Sequence, residues 1–179
     1  DMDLFVWWLN GRRCEKVSSF GSLSHFRPEC APKNSAARCL DCPAAIERDC
    51  LWSAINHYLR RDSLHYLFAE ASEEALHRLI AETEYGACVY RAGNDVPDHQ
   101  TVMLEFSGGV TVCHTLTAFT EENVRKTCVT LTRGEIFGNG EYLKVTRFGG
   151  ESKVFAPGDD GTENLSRHDG GDFNLVAEM

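Results

Sequence analysis

The chain has 179 residues, of which 42% are hydrophobic and 25% are charged, and its formal net charge is −9. These proportions are typical of a globular protein with a sizeable core, and no apolar run approaches the roughly 20 residues that span a bilayer. The negative charge argues against a nucleic-acid or anionic-membrane surface, because both need a basic patch. The N-terminus has no basic signal-peptide segment, so we expect a cytoplasmic protein with mostly reduced cysteines.

The first half of the chain carries helical patterns. Apolar residues at helical spacing predict three helices, and an apolar run predicts one strand. The helices cover Asp1–Leu9, the Leu51–Leu59 stripe and a segment capped by Ser72, and the strand covers Arg13–Phe20. Between the strand and the second helix, residues 21–49 show no sustained period. A loop of this length is either functional or held by something.

The second half consists mostly of predicted strands. Gln100–Phe119 alternates apolar and polar residues on both sides of Ser107-Gly108-Gly109, which predicts a β-hairpin. Further strands are predicted over Arg125–Thr132, Glu135–Phe137, Glu141–Phe148 and Lys153–Phe155. Helices followed by a meander indicate an α+β fold, an open and mostly antiparallel sheet with helices packed on one face. The other face is rich in Thr, Cys and Met, so we expect a homo-oligomer through the open sheet.

Four of the eight cysteines cluster in the long loop, at Cys30, Cys39, Cys42 and Cys50. Four thiolates can close a tetrahedral zinc site and fix such a loop. A single Cys-x-x-Cys pair with irregular outer spacings is weaker evidence for zinc than two paired motifs, and it is also compatible with free thiols or one disulfide. Both interpretations stay open from the sequence.

A polar stretch leads into the hairpin and contains Asn94, Asp95, Asp98 and His99. Such a group at the end of a sheet can bind a polyhydroxylated ligand, or pair a carboxylate with a histidine for proton transfer. The alternative is a polar loop whose Asn and Asp residues make local turns. His25 and His168 are further candidates, although a lone loop histidine is more often solvated. The sequence has no GxGxxG, P-loop, GxSxG or HExxH motif.

Six short segments occur in a characteristic order and spacing along the chain. They are Asp1-Met2-Asp3-Leu4 with Trp7-Trp8-Leu9 and Gly11, Val17-Ser18-Ser19-Phe20-Gly21, Arg38-Cys39-Leu40-Asp41-Cys42-Pro43, Asn94-Asp95-Val96 with Asp98-His99-Gln100, Arg133-Gly134-Glu135, and His168-Asp169-Gly170-Gly171-Asp172-Phe173. Together they resemble the C-terminal domain of the Gfo/Idh/MocA oxidoreductases over essentially the whole chain.

The resemblance implies an NAD(P)-dependent enzyme that acts on sugars, cyclitols or similar polyols. In that family an N-terminal Rossmann domain binds NAD or NADP and supplies a catalytic Lys, and a catalytic His directly precedes the segment that begins here at Asp1. We therefore expect residues 1–179 to be a single C-terminal substrate-binding and oligomerisation domain of a longer protein, without a catalytic residue and inactive alone. The polyol-facing wall is expected to contain Asn94, Asp95, Asp98 and His99, followed by His168.

Two other functions compete with this interpretation. The first is a non-enzymatic binding or scaffold module, with Cys30, Cys39, Cys42 and Cys50 as a structural zinc site. A zinc stoichiometry near one without stabilisation by sugars would favour it. The second is a zinc hydrolase with Cys and His ligands, which no paired ligand motif supports.

Overall fold

The computed structural model describes residues 2–60, 72–122 and 124–156. The chain divides into two compact units, residues 1–119 and 120–179. Helices and two antiparallel sheets make up the described ranges, which confirms the α+β class. The strands form separate sheets of three and four strands, where one open sheet was expected. The expectation of one domain over residues 1–179 stays a prediction.

The first unit is built on a three-stranded sheet with β2 in the middle. Its strands are β1 (Cys14–Ser22), β2 (His99–Phe106) and β3 (Val110–Thr117), and both pairings are antiparallel. The predicted hairpin is confirmed. Its turn places Gly108 and Gly109 at φ +84° and +75°, a region that favours glycine. Arg12 Nη1 donates to the Ser107 carbonyl at 2.8 Å and ties the turn to the start of β1.

The two faces of this sheet differ in burial. Val102 and Phe106 are buried on one face. Helix α1 (Met2–Trp8) approaches the same face, where the ring centroids of Phe5 and His114 lie 5.8 Å apart. On the opposite face Phe20 and Met103 are 75% and 56% exposed. The predicted semi-apolar face is therefore present and open.

Short helices connect the strands of the first unit. They are α2 (Ala44–Asp49), a π-helical turn (Ile55–Arg60), α3 (Glu73–Glu82) and three 3₁₀ turns (Pro28–Cys30, Cys39–Asp41 and Glu84–Gly86). The predicted cap of α3 is confirmed, because Ser72 Oγ accepts the Ala75 N–H at 3.2 Å. The helix predicted from Leu51 starts later, since buried Ser53 Oγ accepts the N–H groups of Ile55 and Asn56.

Arg38 joins the core of this unit to the end of α3. The core contains Cys39, Ala54 and Ile80, with Ile55, Tyr58 and Leu59 packed against it. Arg38 Nη2 donates to the carbonyls of Ile80 at 2.7 Å and Thr83 at 2.6 Å, which satisfies carbonyls that a helix end leaves unpaired. An isolated antiparallel bridge also pairs Arg38 with Ala87. The segment around Arg38 is thereby held beside the segment around Ala87.

The second unit is a four-stranded meander. Its strands follow in chain order as β4 (Thr127–Leu131), β5 (Gly134–Gly138), β6 (Leu143–Arg147) and β7 (Ser152–Phe155). All four predicted strands are confirmed, with shifts of a few residues at their ends. Between β5 and β6, Asn139 Oδ1 accepts the N–H groups of Glu141 and Tyr142, and Gly140 has φ +92°. No helix in the described part of the chain is long and apolar enough to cross a bilayer.

We expect Gly86→Ala to destabilise the first unit by about 3 kcal/mol, in the upper part of the range for single substitutions. A Cβ on Gly86 would overlap the backbone carbonyl of Ile80 and approach Arg38 Nη2. Gly93→Ala is the control, because its Cβ would meet nothing within 4 Å and only the φ of +72° opposes it, at a cost of about 1 kcal/mol. Urea unfolding measures both changes. Equal losses would contradict the close approach at Gly86.

Candidate functional site

The carboxylate of Asp98, in the polar stretch, is held in place by several hydrogen bonds. Asp98 is buried just before β2, and its Oδ2 accepts the N–H groups of Ser24 at 3.0 Å, His25 at 2.6 Å and Phe26 at 3.2 Å. Ser24 Oγ donates to Oδ1 at 3.1 Å. Burial acts to raise the pKa of Asp98, but the hydrogen bonds from the His25 amide, the His99 ring and the neighbouring amides outweigh it and hold the pKa well below its usual value. Asp98 is therefore an ionised anchor for the loop after β1.

His99 is oriented by this anchor. Its Nδ1 lies 2.9 Å from Asp98 Oδ1, and its side chain is 45% exposed. Since a carboxylate only accepts, Nδ1 carries the proton in the neutral ring, and Nε2 is left as an acceptor. The Ser22 hydroxyl lies 3.4 Å from Nε2. This arrangement can accept a proton, or a hydrogen bond from a ligand hydroxyl, at Nε2.

Asn94 and Asp95 have different surroundings. Asn94 Nδ2 donates to the carbonyls of Phe26 at 2.8 Å and Val89 at 2.7 Å, so the amide holds two loops together. Asp95 is exposed. The structure thus brings Asp98 and His99 into one hydrogen-bonded pair and uses Asn94 for positioning. His168, the fifth residue of the predicted wall, lies outside the described residues.

His25 lies inside an aromatic cluster, and its interpretation as a solvated loop histidine is wrong. Its ring contacts those of Phe26, Trp52, Tyr90 and Phe119, with centroid distances of 5.2 to 6.0 Å. His25 Nε2 lies 3.2 Å from the Tyr90 hydroxyl. Burial raises the pKa of Tyr90 to about 12, and nearby cysteines add to the shift. The cluster joins four separate stretches of sequence, so local patterns did not indicate it.

Four cysteines meet in one small cavity, but they are not the four that the sequence predicted. Cys39, Cys42, Cys50 and Cys88 line a cavity of about 20 Å³. Cys30 is not among its lining residues, and its Sγ donates to the Ser24 carbonyl at 3.5 Å. All eight cysteines are free thiols. Within the described ranges, no group of three or more His, Cys, Asp and Glu side chains is placed so that it could hold a metal ion without rearrangement.

A larger concave surface of about 760 Å³ lies in the second unit. Arg133, Arg147 and Lys153 line it together with Glu151, near the ends of the hairpins. None of the residues predicted for a site contributes to it. The first unit therefore holds all the predicted site residues that the structure describes.

Comparison with known proteins does not identify the chain. No protein-family model, curated protein or solved structure matches it. The resemblance to the Gfo/Idh/MocA oxidoreductases stays a prediction.

We expect Asp98→Asn to remove a pH-dependent part of the stability. A carboxyl whose pKa is depressed by folding binds more protons in the unfolded state, so its stabilisation is complete above the unfolded pKa of about 4 and is lost as the pH falls through the folded pKa. Urea unfolding of the wild type between pH 7 and pH 2 should show a progressive loss of stability below about pH 4, and Asp98→Asn should lack this part of the loss. The exposed Asp95→Asn serves as control and should follow the wild type. Parallel curves for the wild type and Asp98→Asn would contradict the anchor.

Proposed function

We propose that the chain is the C-terminal substrate-binding and oligomerisation domain of an NAD(P)-dependent oxidoreductase that acts on a sugar, cyclitol or similar polyol. The observation that carries this proposal is the Asp98–His99 pair at the end of the three-stranded sheet. A buried, ionised carboxylate orients a half-exposed imidazole, and the hydroxyls of Ser22 and Ser24 lie beside it.

The chemistry of a polyol suits this arrangement. A polyol offers several hydroxyl groups that donate and accept hydrogen bonds, and few charges or apolar surfaces. His99 Nε2 can accept a hydrogen bond from one hydroxyl of the polyol. The Ser24 side chain, in the loop after β1, and the exposed Asp95 carboxylate, in the loop before β2, provide further polar groups. Because Asp98 fixes the imidazole, binding would not have to order that side chain, which lowers the entropic cost.

In this proposal the nicotinamide cofactor supplies the hydride chemistry and is bound by a Rossmann domain that precedes Asp1 in a longer protein. The residues of this chain bind and orient the substrate and hold a proton near His99. The isolated chain would then bind polyols without oxidising them.

The alternative, a binding or scaffold module with a structural zinc site, is favoured by a different observation. Three of the four cysteines predicted for that site, Cys39, Cys42 and Cys50, share one cavity with Cys88. Zinc binding without any polyol binding would support this alternative.

We expect His99→Gln to weaken polyol binding about tenfold, the value of one hydrogen bond. A panel of cyclitols and aldoses, titrated into the full chain and followed by NMR of the histidine rings, measures the affinity. His77→Gln is the matched control, because His77 is exposed on α3. Failure of every polyol to bind, or equal affinity in His99→Gln and the wild type, would overturn the proposed site.

The oligomerisation role is supported by the open face of the three-stranded sheet. Phe20 and Met103 are 75% and 56% exposed there, next to Thr101, Cys113 and Thr115. Apolar side chains that are grouped on a regular surface are costly to leave in water. We propose that these side chains pack against the same sheet face of a second copy of the chain.

We expect Met103→Glu to raise the dissociation constant of a dimer at least about 100-fold, because the symmetric contact would bury two unpaired carboxylates. Light scattering over a range of protein concentrations measures the dimer. Val96→Glu is the control, since Val96 is 63% exposed but lies outside the sheet. A wild type that stays monomeric at high concentration would contradict an interface through this face.

A further inference from the structure

Backbone hydrogen bonds bring the four cysteines to their cavity from three places in the sequence. Cys39 and Cys42 are the ends of a tight turn, in which the Cys42 N–H donates to the Cys39 carbonyl at 3.3 Å. Cys50 follows α2, and its N–H donates to the Ile46 carbonyl at 3.0 Å. Cys88 arrives through strand-like pairing, because its N–H donates to the Ala37 carbonyl at 2.8 Å next to the Arg38–Ala87 bridge.

Two of the four sulfur atoms accept backbone N–H groups. The Ala54 N–H donates to Cys39 Sγ at 3.3 Å, and the Ala36 N–H donates to Cys42 Sγ at 3.2 Å. A neutral thiol is a weak acceptor, whereas a thiolate is the form that binds metals. Amides that donate to ligating sulfurs are the outer shell that stabilises a bound metal.

We propose that Cys39, Cys42, Cys50 and Cys88 bind one Zn²⁺ ion. Four sulfur ligands suit zinc, which is tetrahedral in structural sites and accepts thiolate. The cavity of about 20 Å³ is close to the space of one water-sized sphere, which suits a single ion. Four protein ligands leave no open coordination position, so the site is structural.

Formation of the site needs the sulfurs to move, because in the described ranges no group of three or more His, Cys, Asp and Glu side chains is already placed to hold a metal ion. Each sulfur turns about the Cα–Cβ bond, and the Zn–S distance that it must reach is about 2.3 Å. Four Zn–S bonds form, four S–H bonds break, and four protons pass to the buffer. No atom changes its oxidation state.

The ion would fix the part of the first unit that has the least regular structure. It would link residues 36–54 to the segment that ends in Tyr90. Trp52 and Tyr90 line the same cavity and contact His25, whose N–H is bonded to Asp98. Zinc would therefore support the surroundings of the Asp98–His99 pair. The zinc proposal does not depend on polyol binding.

The test is zinc binding by the full, reduced chain. After loading with Zn²⁺ and dialysis, elemental analysis should give one zinc per chain. Removal of zinc by a chelator should lower the melting temperature by about 10 °C, as expected for a ligand present at about 1,000 times its dissociation constant. Alkylation by N-ethylmaleimide, mapped by mass spectrometry with and without zinc, should show metal-dependent protection of Cys39, Cys42, Cys50 and Cys88.

Single substitutions identify the ligands. Cys39→Ser, Cys42→Ser, Cys50→Ser and Cys88→Ser should each weaken zinc binding more than about 100-fold, beyond the effect of losing an outer-shell group. Cys30→Ser and Cys128→Ser are matched controls and should bind zinc like the wild type. If a ligand variant fails to fold, the alkylation pattern of the wild type shows which cysteines bind zinc. A reduced chain that retains no zinc, or metal-dependent protection of Cys30 in place of Cys88, would overturn the proposal.

Discussion

The carboxylate of Asp98 determines the path of the chain where it leaves β1. Three consecutive N–H groups, those of Ser24, His25 and Phe26, converge on it. Backbone donors in an irregular, partly buried segment must find acceptors, because each unpaired one costs about 1–3 kcal/mol. One ionised side chain satisfies all three. It also directs Phe26 into the interior, where this ring is buried beside Trp52 and Phe119.

The polar residues around Asp98 have two roles: some satisfy backbone groups of the chain, and others are free to contact a ligand. Asp98 and Asn94 satisfy backbone groups of other loops, so their polar atoms are largely occupied within the chain. His99 follows Asp98 directly as the first residue of β2, and its Nδ1 lies 2.9 Å from the Asp98 carboxylate while the side chain stays 45% exposed. A buried carboxylate therefore stands next to a half-exposed imidazole. The residues that hold the site and those free to contact a ligand are thus neighbours in sequence.

Local patterns could predict the regular elements but not the contacts between distant segments. The β2–β3 hairpin follows from alternation around two glycines, and the start of α3 follows from one serine cap. The surroundings of His25 and the place of Cys88 depend on pairing between residues far apart in the chain, such as Arg38 with Ala87. Cys30 was predicted as the fourth zinc ligand because it is near the other three cysteines in sequence. The bridge between Arg38 and Ala87 brings Cys88 to the cavity instead.

The composition of the core gives the cysteine cavity its importance. The described part of the chain has nine buried hydrophobic side chains, all in the first unit, and two of them are Cys39 and Cys88. A thiol buries less apolar area than the leucine or isoleucine that usually occupies such a position, so it contributes less to stability. A small core is commonly supplemented by a disulfide or a metal ion. Here the cysteines share one cavity while backbone amides donate to two of the sulfurs, an arrangement that favours a metal ion over an additional hydrophobic contact.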